Sequence, residues 1–254
     1  MFPTINIGPF VFPTAGIVYL LGAYLSLTLI ERATKRLQLN VEATYGVAVT
    51  GLLVGFVAAR LVFVATYWTS FSQNLLSIIW PLTSGYNVMG GLFFGAAAAF
   101  FYGRYKQLPL WPTLDALTPG LIAAFLTVSL ADFLAGPGYG TFTSVPWGIS
   151  VFGIRRHPVQ IYEIILGIAA LGVWWQVVKQ RPPAGQAFLL TMALYSAGRL
   201  FLDAYRDNAW LTADGYHVIQ IISLVVMLGC LILLMRQATA VSQAARSQNP
   251  SHSA

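Results

Sequence analysis

Three stretches of the 254-residue chain carry residue types able to do chemistry. The first is Arg155-Arg156-His157-Pro158-Val159-Gln160-Ile161-Tyr162-Glu163. The second runs from Gly198-Arg199 through Asp203 to Arg206. The third is Arg60, with no acid within one helical turn of it. A guanidinium is a planar, permanently charged donor fork, suited to gripping a phosphate or carboxylate. On a helix, Arg199, Asp203 and Arg206 share one face, being four and seven residues apart. Arg199 and Asp203 could simply pair there, which leaves Arg206 without an assigned partner and Asp207 off that face. Pro158 suits a first helical turn. Gln160 and Glu163 then lie close on the same helix, with Glu163 at the membrane border and an outer arginine as its natural partner. His157 could be a hydrogen-bonded cap or an acid–base group.

The elements that must hold these residues are apolar. Of the whole chain, 57% is hydrophobic, 14% aromatic and only 9% charged, whereas a soluble domain carries about 25% charged residues. That excludes an ordinary soluble enzyme, a disordered protein and a disulfide scaffold, and points to a polytopic membrane protein. One cysteine, Cys230, allows neither an internal disulfide nor a cysteine-based metal site. The net charge of +6 is accounted for by membrane topology rather than by nucleic acid, because the charges sit mainly in short loops.

The expected fold is all-α, with seven transmembrane helices near 12–30, 45–67, 87–103, 114–134, 158–178, 185–204 and 216–235. Residues 1–236 would form a single membrane domain and 237–254 a polar, frayed cytoplasmic tail. Met1 to Pro13 has no Lys or Arg and so lacks the basic region of a signal peptide. Arg32, Lys35, Arg36, Arg104, Lys106, Lys179, Arg181, Arg236 and Arg246 fall on one side. The positive-inside rule makes that side cytoplasmic, the N-terminus outside and the C-terminus inside. Arg60, Arg155, Arg156, Arg199 and Arg206 fall on or near the other side, so topology does not explain them. Arg60 would lie on the order of 10 Å into its helix, open to a functional role, a structural partner or snorkelling. Residues 68–86 and 135–153 are uncharged and rich in aromatics, Gly and Pro, as in Trp68, Trp80, Pro81, Pro137 and Trp147, and suit the membrane interface more than a lid. Gly90, Gly91 and Gly95 permit close helix approach. The simplest ligand for outer arginines and acids at similar depth is an anionic lipid headgroup.

The chain resembles the prolipoprotein diacylglyceryl transferase family. Arg156 through Glu163 is similar to that family's R-H-P-x-Q-L-Y-E. Gly198 through Arg206 resembles its late arginine motif, with Asp203 where Glu is usual. Ala58-Ala59-Arg60 resembles its G-G-R element, and Gly90-Gly91-Leu92 the end of its H-G-G-L element. The resemblance implies transfer of diacylglyceryl from phosphatidylglycerol to the lipobox cysteine thiol of a preprolipoprotein, with release of glycerol phosphate. It implies no metal or organic cofactor and no nucleic acid. It implies a multi-pass protein of the bacterial plasma (inner) membrane with its site facing outward. His157 and Arg199 would be catalytic. Arg60, Arg156, Arg199 and Arg206 would bind the lipid phosphate, supported by Gln160, Tyr162, Glu163 and Asp203. The chain departs from the family pattern at Met89, where the motif has histidine, at Ser129, where it has arginine, and at Pro137, where it has an acid. An H-x-Y feature is also absent near Pro13 and Ala15. Three readings follow: an active transferase in which His157 or Asp132 replaces the missing base, a non-catalytic paralogue that binds an anionic lipid or lipoprotein peptide, and a transporter or other anionic-lipid handler on the same scaffold. The absence of an internal repeat weighs against the last.

Overall fold

Long apolar runs become helices because only a helix satisfies every backbone group without water. The computed structural model describes residues 4–8, 10–79, 85–136, 138–151 and 153–248. Trp80, Pro81 and Pro137, expected in the uncharged outer segments, lie outside the described residues. A hairpin of β1 (Thr4–Ile7) and β2 (Phe10–Pro13) leads into α1 (Thr14–Arg36). Then come α2 (Val41–Thr66), the single turns α3 (Trp68–Phe71) and α4 (Leu76–Ile79), α5 (Val88–Tyr105) and α6 (Leu110–Ala135). A second hairpin, β3 (Ile149–Val151) with β4 (Ile154–Arg156), precedes α7 (Val159–Lys179). The chain ends with α8 (Gln186–Leu202), a 3-10 turn at Asp203–Tyr205, and α9 (Val218–Gln248).

Helix boundaries follow local chemistry. The Asn40 side chain caps α2 by accepting from the Ala43 N–H at 2.9 Å, and Asn87 caps α5 by accepting from Gly90 at 2.8 Å. Helices α1 and α5 end on left-handed glutamines, Gln38 (φ 56) and Gln107 (φ 55). The next amides, Leu39 and Leu108, bond back to Thr34 and Gly103, closing each helix as a glycine commonly does.

Among the described residues, six helices are long and apolar enough to cross a membrane: α1, α2, α6, α7, α9 and the run from α8 to Tyr205. The protein is therefore a mostly helical, multi-pass membrane protein. The remaining expected span, 87–103, is α5, which has 18 residues and ends in Tyr102-Gly103-Arg104-Tyr105, so it does not join the six. Apolar side chains face outward along α9, as at Val225, Ile232 and Met235, and only 11% of that span is buried within the protein. Lipid is the natural cover for such a surface.

Met1–Ser26 with Thr118–Ala254 form one compact unit, and Leu27–Leu117 form another. In the second unit α2 packs closely on α5. A Cβ added at Gly91 would lie 2.8 Å from the Ala59 Cβ, and one at Gly95 would lie 2.7 Å from the Gly51 carbonyl oxygen. The glycines thus serve backbone approach, as their spacing suggested. In the first unit a Cβ at Gly198 would meet the Leu166 side chain at 2.3 Å. Glycine there brings α8 onto α7 one residue before Arg199.

One expected feature is corrected. α8 stops at Leu202 and tightens into the 3-10 turn, after which Arg206 is extended (φ −82, ψ 125). Arg199, Asp203 and Arg206 therefore do not share one continuous helix face. Polar residues after 236 begin as a continuation of α9, which runs to Gln248.

Candidate functional site

Glu163 is the centre of the polar cluster in the first unit. It sits in the second turn of α7 with its side chain 1% exposed. Four hydrogen bonds converge on its two oxygens. Arg199 Nη1, from the last turn of α8, donates to Oε1. Arg206 spans the carboxylate, with Nε to Oε1 at 3.0 Å and Nη2 to Oε2 at 3.1 Å. Ser129 Oγ, from α6, donates to Oε2 at 2.6 Å. Asp132, one turn further along α6, lies 3.7 Å from Arg206 Nη2. A buried carboxylate needs such company, since an unpaired one costs several kcal/mol. Burial strips water from Arg206, yet the hydrogen bonds and charge of Glu163 hold its pKa above the ordinary arginine value.

The segment after α6 covers this cluster. Gln160 Nε2 donates to the Gly138 carbonyl. A Cβ at Gly138 (φ +89) would lie 3.4 Å from Asp132 Oδ2 and 3.8 Å from Arg206 Nη1, so the backbone passes directly over the charges. Residues 139–143 are stitched on both sides by backbone bonds. On one side Thr141 N donates to Tyr205 O at 2.8 Å and Asp207 N to Tyr139 O at 3.0 Å. On the other, His157 N donates to Thr141 O at 3.0 Å and Thr143 N to Arg155 O at 3.1 Å.

That stitching carries Arg156 and His157. Arg156 Nη1 donates to Asp207 Oδ2 at 2.7 Å and to the Gly140 carbonyl at 3.0 Å, and its guanidinium lies 4.5 Å from the Phe142 ring centre. His157 Nδ1 is 3.3 Å from the Tyr162 hydroxyl, which accepts from Trp147 Nε1 at 2.7 Å. Asp203, buried at the start of the 3-10 turn, bonds His217 Nδ1 at 2.8 Å. It does not pair with Arg199.

Arg60 belongs to the other unit. Its Nε donates to the Ile78 carbonyl at 2.9 Å, its Nη1 to Gly85 at 3.1 Å and its Nη2 to Ser77. The guanidinium also lies near the Phe71 and Tyr86 rings, at 5.2 and 5.7 Å. It organises the α4 segment. Met89 in the same unit is about half exposed.

Among the expected residues, Arg199 and Arg206 thus meet on Glu163, Arg206, Gln160 and Asp132 lie beside Gly138, Arg156 ends β4, His157 links β4 to α7, Tyr162 lies in the first turn of α7, and Asp203 is one turn from Arg199. Ser129, Asp207, Trp147 and His217 were not singled out as polar partners. Rarity was the available signal for His217, one of three histidines in the chain.

Residues 3–236 match the family model described as prolipoprotein diacylglyceryl transferase. Relatives named phosphatidylglycerol–prolipoprotein diacylglyceryl transferase have similar length. The one from Clostridioides difficile (strain 630) is 28% identical over 217 residues, covering 85% of this chain and 87% of the relative. That from Enterococcus faecalis (strain ATCC 700802 / V583) is 25% identical, covering 86% and 84%. That from Tropheryma whipplei (strain Twist) is 29% identical, covering 80% of each. With the match running through nearly every helix described above, the chain belongs to the prolipoprotein diacylglyceryl transferase family.

Proposed function

We propose that this protein transfers the diacylglyceryl group of phosphatidylglycerol to the thiol of a lipobox cysteine in a preprolipoprotein. The protein crosses the bacterial plasma membrane seven times, counting α5, with its N-terminus outside, its C-terminus inside and its site facing outward. The observation that carries this reading is the gathering of Arg199 and Arg206 on one buried carboxylate. Glu163 brings two guanidinium groups together that would otherwise repel each other, and among the described residues part of each donor fork has no hydrogen bond. Those remaining N–H groups, with Arg156 alongside, receive the lipid phosphate.

Chemically, the substrate thiolate attacks the glyceryl carbon, the carbon–oxygen bond to phosphate breaks, and glycerol phosphate leaves with the electron pair. Arginine charge stabilises the leaving phosphate. Gln160 holds the Gly138 segment over the cluster, and Tyr162 fixes the His157 ring. Arg60 acts by ordering the α4 segment.

A second reading is favoured by Met89, which cannot move a proton, at the position where the family motif has histidine. Under it the protein binds the anionic lipid or a lipoprotein peptide without reacting. Purified protein in phosphatidylglycerol vesicles, given a lipobox peptide, separates the two. The expected result is a thioether-linked diacylglyceryl peptide, reduced on the order of 100-fold or more by Arg199→Ala. Lipid binding with no product would establish the second reading.

A further inference from the structure

A thiol is a weak nucleophile until it loses its proton, so the transfer reading needs a base that Met89 does not supply. Two described histidines lie near the outer ends of α7–α9. His157 is tied through Nδ1 to the Tyr162 phenol, a partner that can donate or accept and so fixes no tautomer. His217 faces a carboxylate instead. Its Nδ1 lies 2.8 Å from Asp203 Oδ2. A carboxylate only accepts, so the hydrogen sits on Nδ1, and in the neutral ring Nε2 keeps its lone pair.

The pair is built rather than incidental. The Asp203 side chain is 1% exposed while that of His217 is 28% exposed. Asp203 Oδ1 has no hydrogen-bond partner among the described residues, so His217 is the group to which this carboxylate is committed. The backbone around the ring is fixed as well. Leu211 and His217 form a β-bridge, and Val218 N donates to Trp210 O at 2.9 Å. Gln220 Nε2, near the start of α9, donates to the Leu200 carbonyl at 3.0 Å. That last bond fastens the histidine's helix to α8 between Arg199 and Asp203. Asp203 lies four residues after Arg199 and in the field of Arg206, which itself carries Glu163 and Asp132.

We propose that His217 is the catalytic base of this protein, taking the lipobox thiol proton on Nε2 while Asp203 orients the ring. The inference rests on the transferase reading above. The S–H bond breaks and an N–H bond forms on Nε2. The sulfur pair then forms the new bond to the glyceryl carbon, and the carbon–oxygen pair leaves with glycerol phosphate. The imidazolium returns its proton to solvent. An acid–orienter–base arrangement of this kind suits activation of a nucleophile at neutral pH.

The test uses full-length protein in phosphatidylglycerol vesicles with two acceptor peptides, one carrying the lipobox cysteine and one carrying selenocysteine at that position. A selenol is ionised at neutral pH and needs no base. The variant is His217→Asn, whose amide nitrogen can take the place of Nδ1 and keep the Asp203 hydrogen bond while Nε2 is lost. Transfer to the thiol should fall on the order of 100-fold, and transfer to the selenol by less than about tenfold, with lipid binding unchanged. Thiol transfer within about threefold of the parent would overturn the proposal, as would equal losses on both acceptors, which mark a structural role. Either result leaves the transferase reading standing, provided the parent protein is active. A parent protein inert towards both acceptors overturns that reading and this one with it.

Discussion

Glu163 takes four donors because two like charges must share one acid. Arg199 and Arg206 come from opposite sides of a helix end, and each side chain is only 16% exposed. Removing the charge while keeping the shape therefore leaves two guanidinium groups facing each other with only the more distant Asp132 to offset them. Glu163→Gln should lower stability by roughly 3–5 kcal/mol, the usual cost of breaking a buried pair, seen as a drop in the melting temperature of purified protein. The run from Arg156 to Glu163 was legible because its residues are contiguous and their helical spacing is fixed by a proline. The partners were less so. Arg206 reaches Glu163 across 43 positions and Arg156 reaches Asp207 across 51, and no local pattern encodes such pairings. Asp203 was readable as a partner for Arg199 only on a continuous helix. The turn that releases it toward His217 contains neither glycine nor proline.

Among the elements, α2 and the short α4 are joined by the Arg60 side chain. Arg60 satisfies three carbonyls, those of Ser77, Ile78 and Gly85. Without it, each acceptor that stays buried costs about 1–3 kcal/mol. Arg60→Ala should accelerate hydrogen exchange at residues 74–79 while leaving α7 and α8 protected, and Lys should not restore protection, since a point charge cannot span the three directions. The sequence marked Arg60 as a buried charge needing a partner. It could not show that backbone would provide it, because carbonyls leave no trace in residue type. Helix existence was legible from apolar length, and helix ends were not: α1 and α5 close on glutamine where a glycine would have been the signal.

For the molecule as a whole, the arrangement of basic residues is the basis of the proposed orientation. Lys35 and Arg36 end α1, Arg104 lies in the last turn of α5, and Lys179 ends α7. In a Cys230→Ala background, single cysteines at Leu39 and Gln107 should react with an impermeant thiol reagent only after the membrane is opened, and one at Gly153 should react in intact cells. Labelling in the opposite sense would reverse the proposed orientation. The two-unit organisation was not legible, because its boundaries cut through α1 and α6 at no break in hydropathy, although Pro119 lies beside the second. The stitching of residues 139–143 has a longer reach than one protein. Its bonds run from amide to carbonyl, so most side chains along it can be exchanged over generations while Arg156 and Arg206 stay in register. Gly140 is the exception. A Cβ there would come within 2.1 Å of the His157 carbonyl oxygen, so this crossing admits a hydrogen atom and nothing larger, and heritable change at that position is confined by steric contact alone.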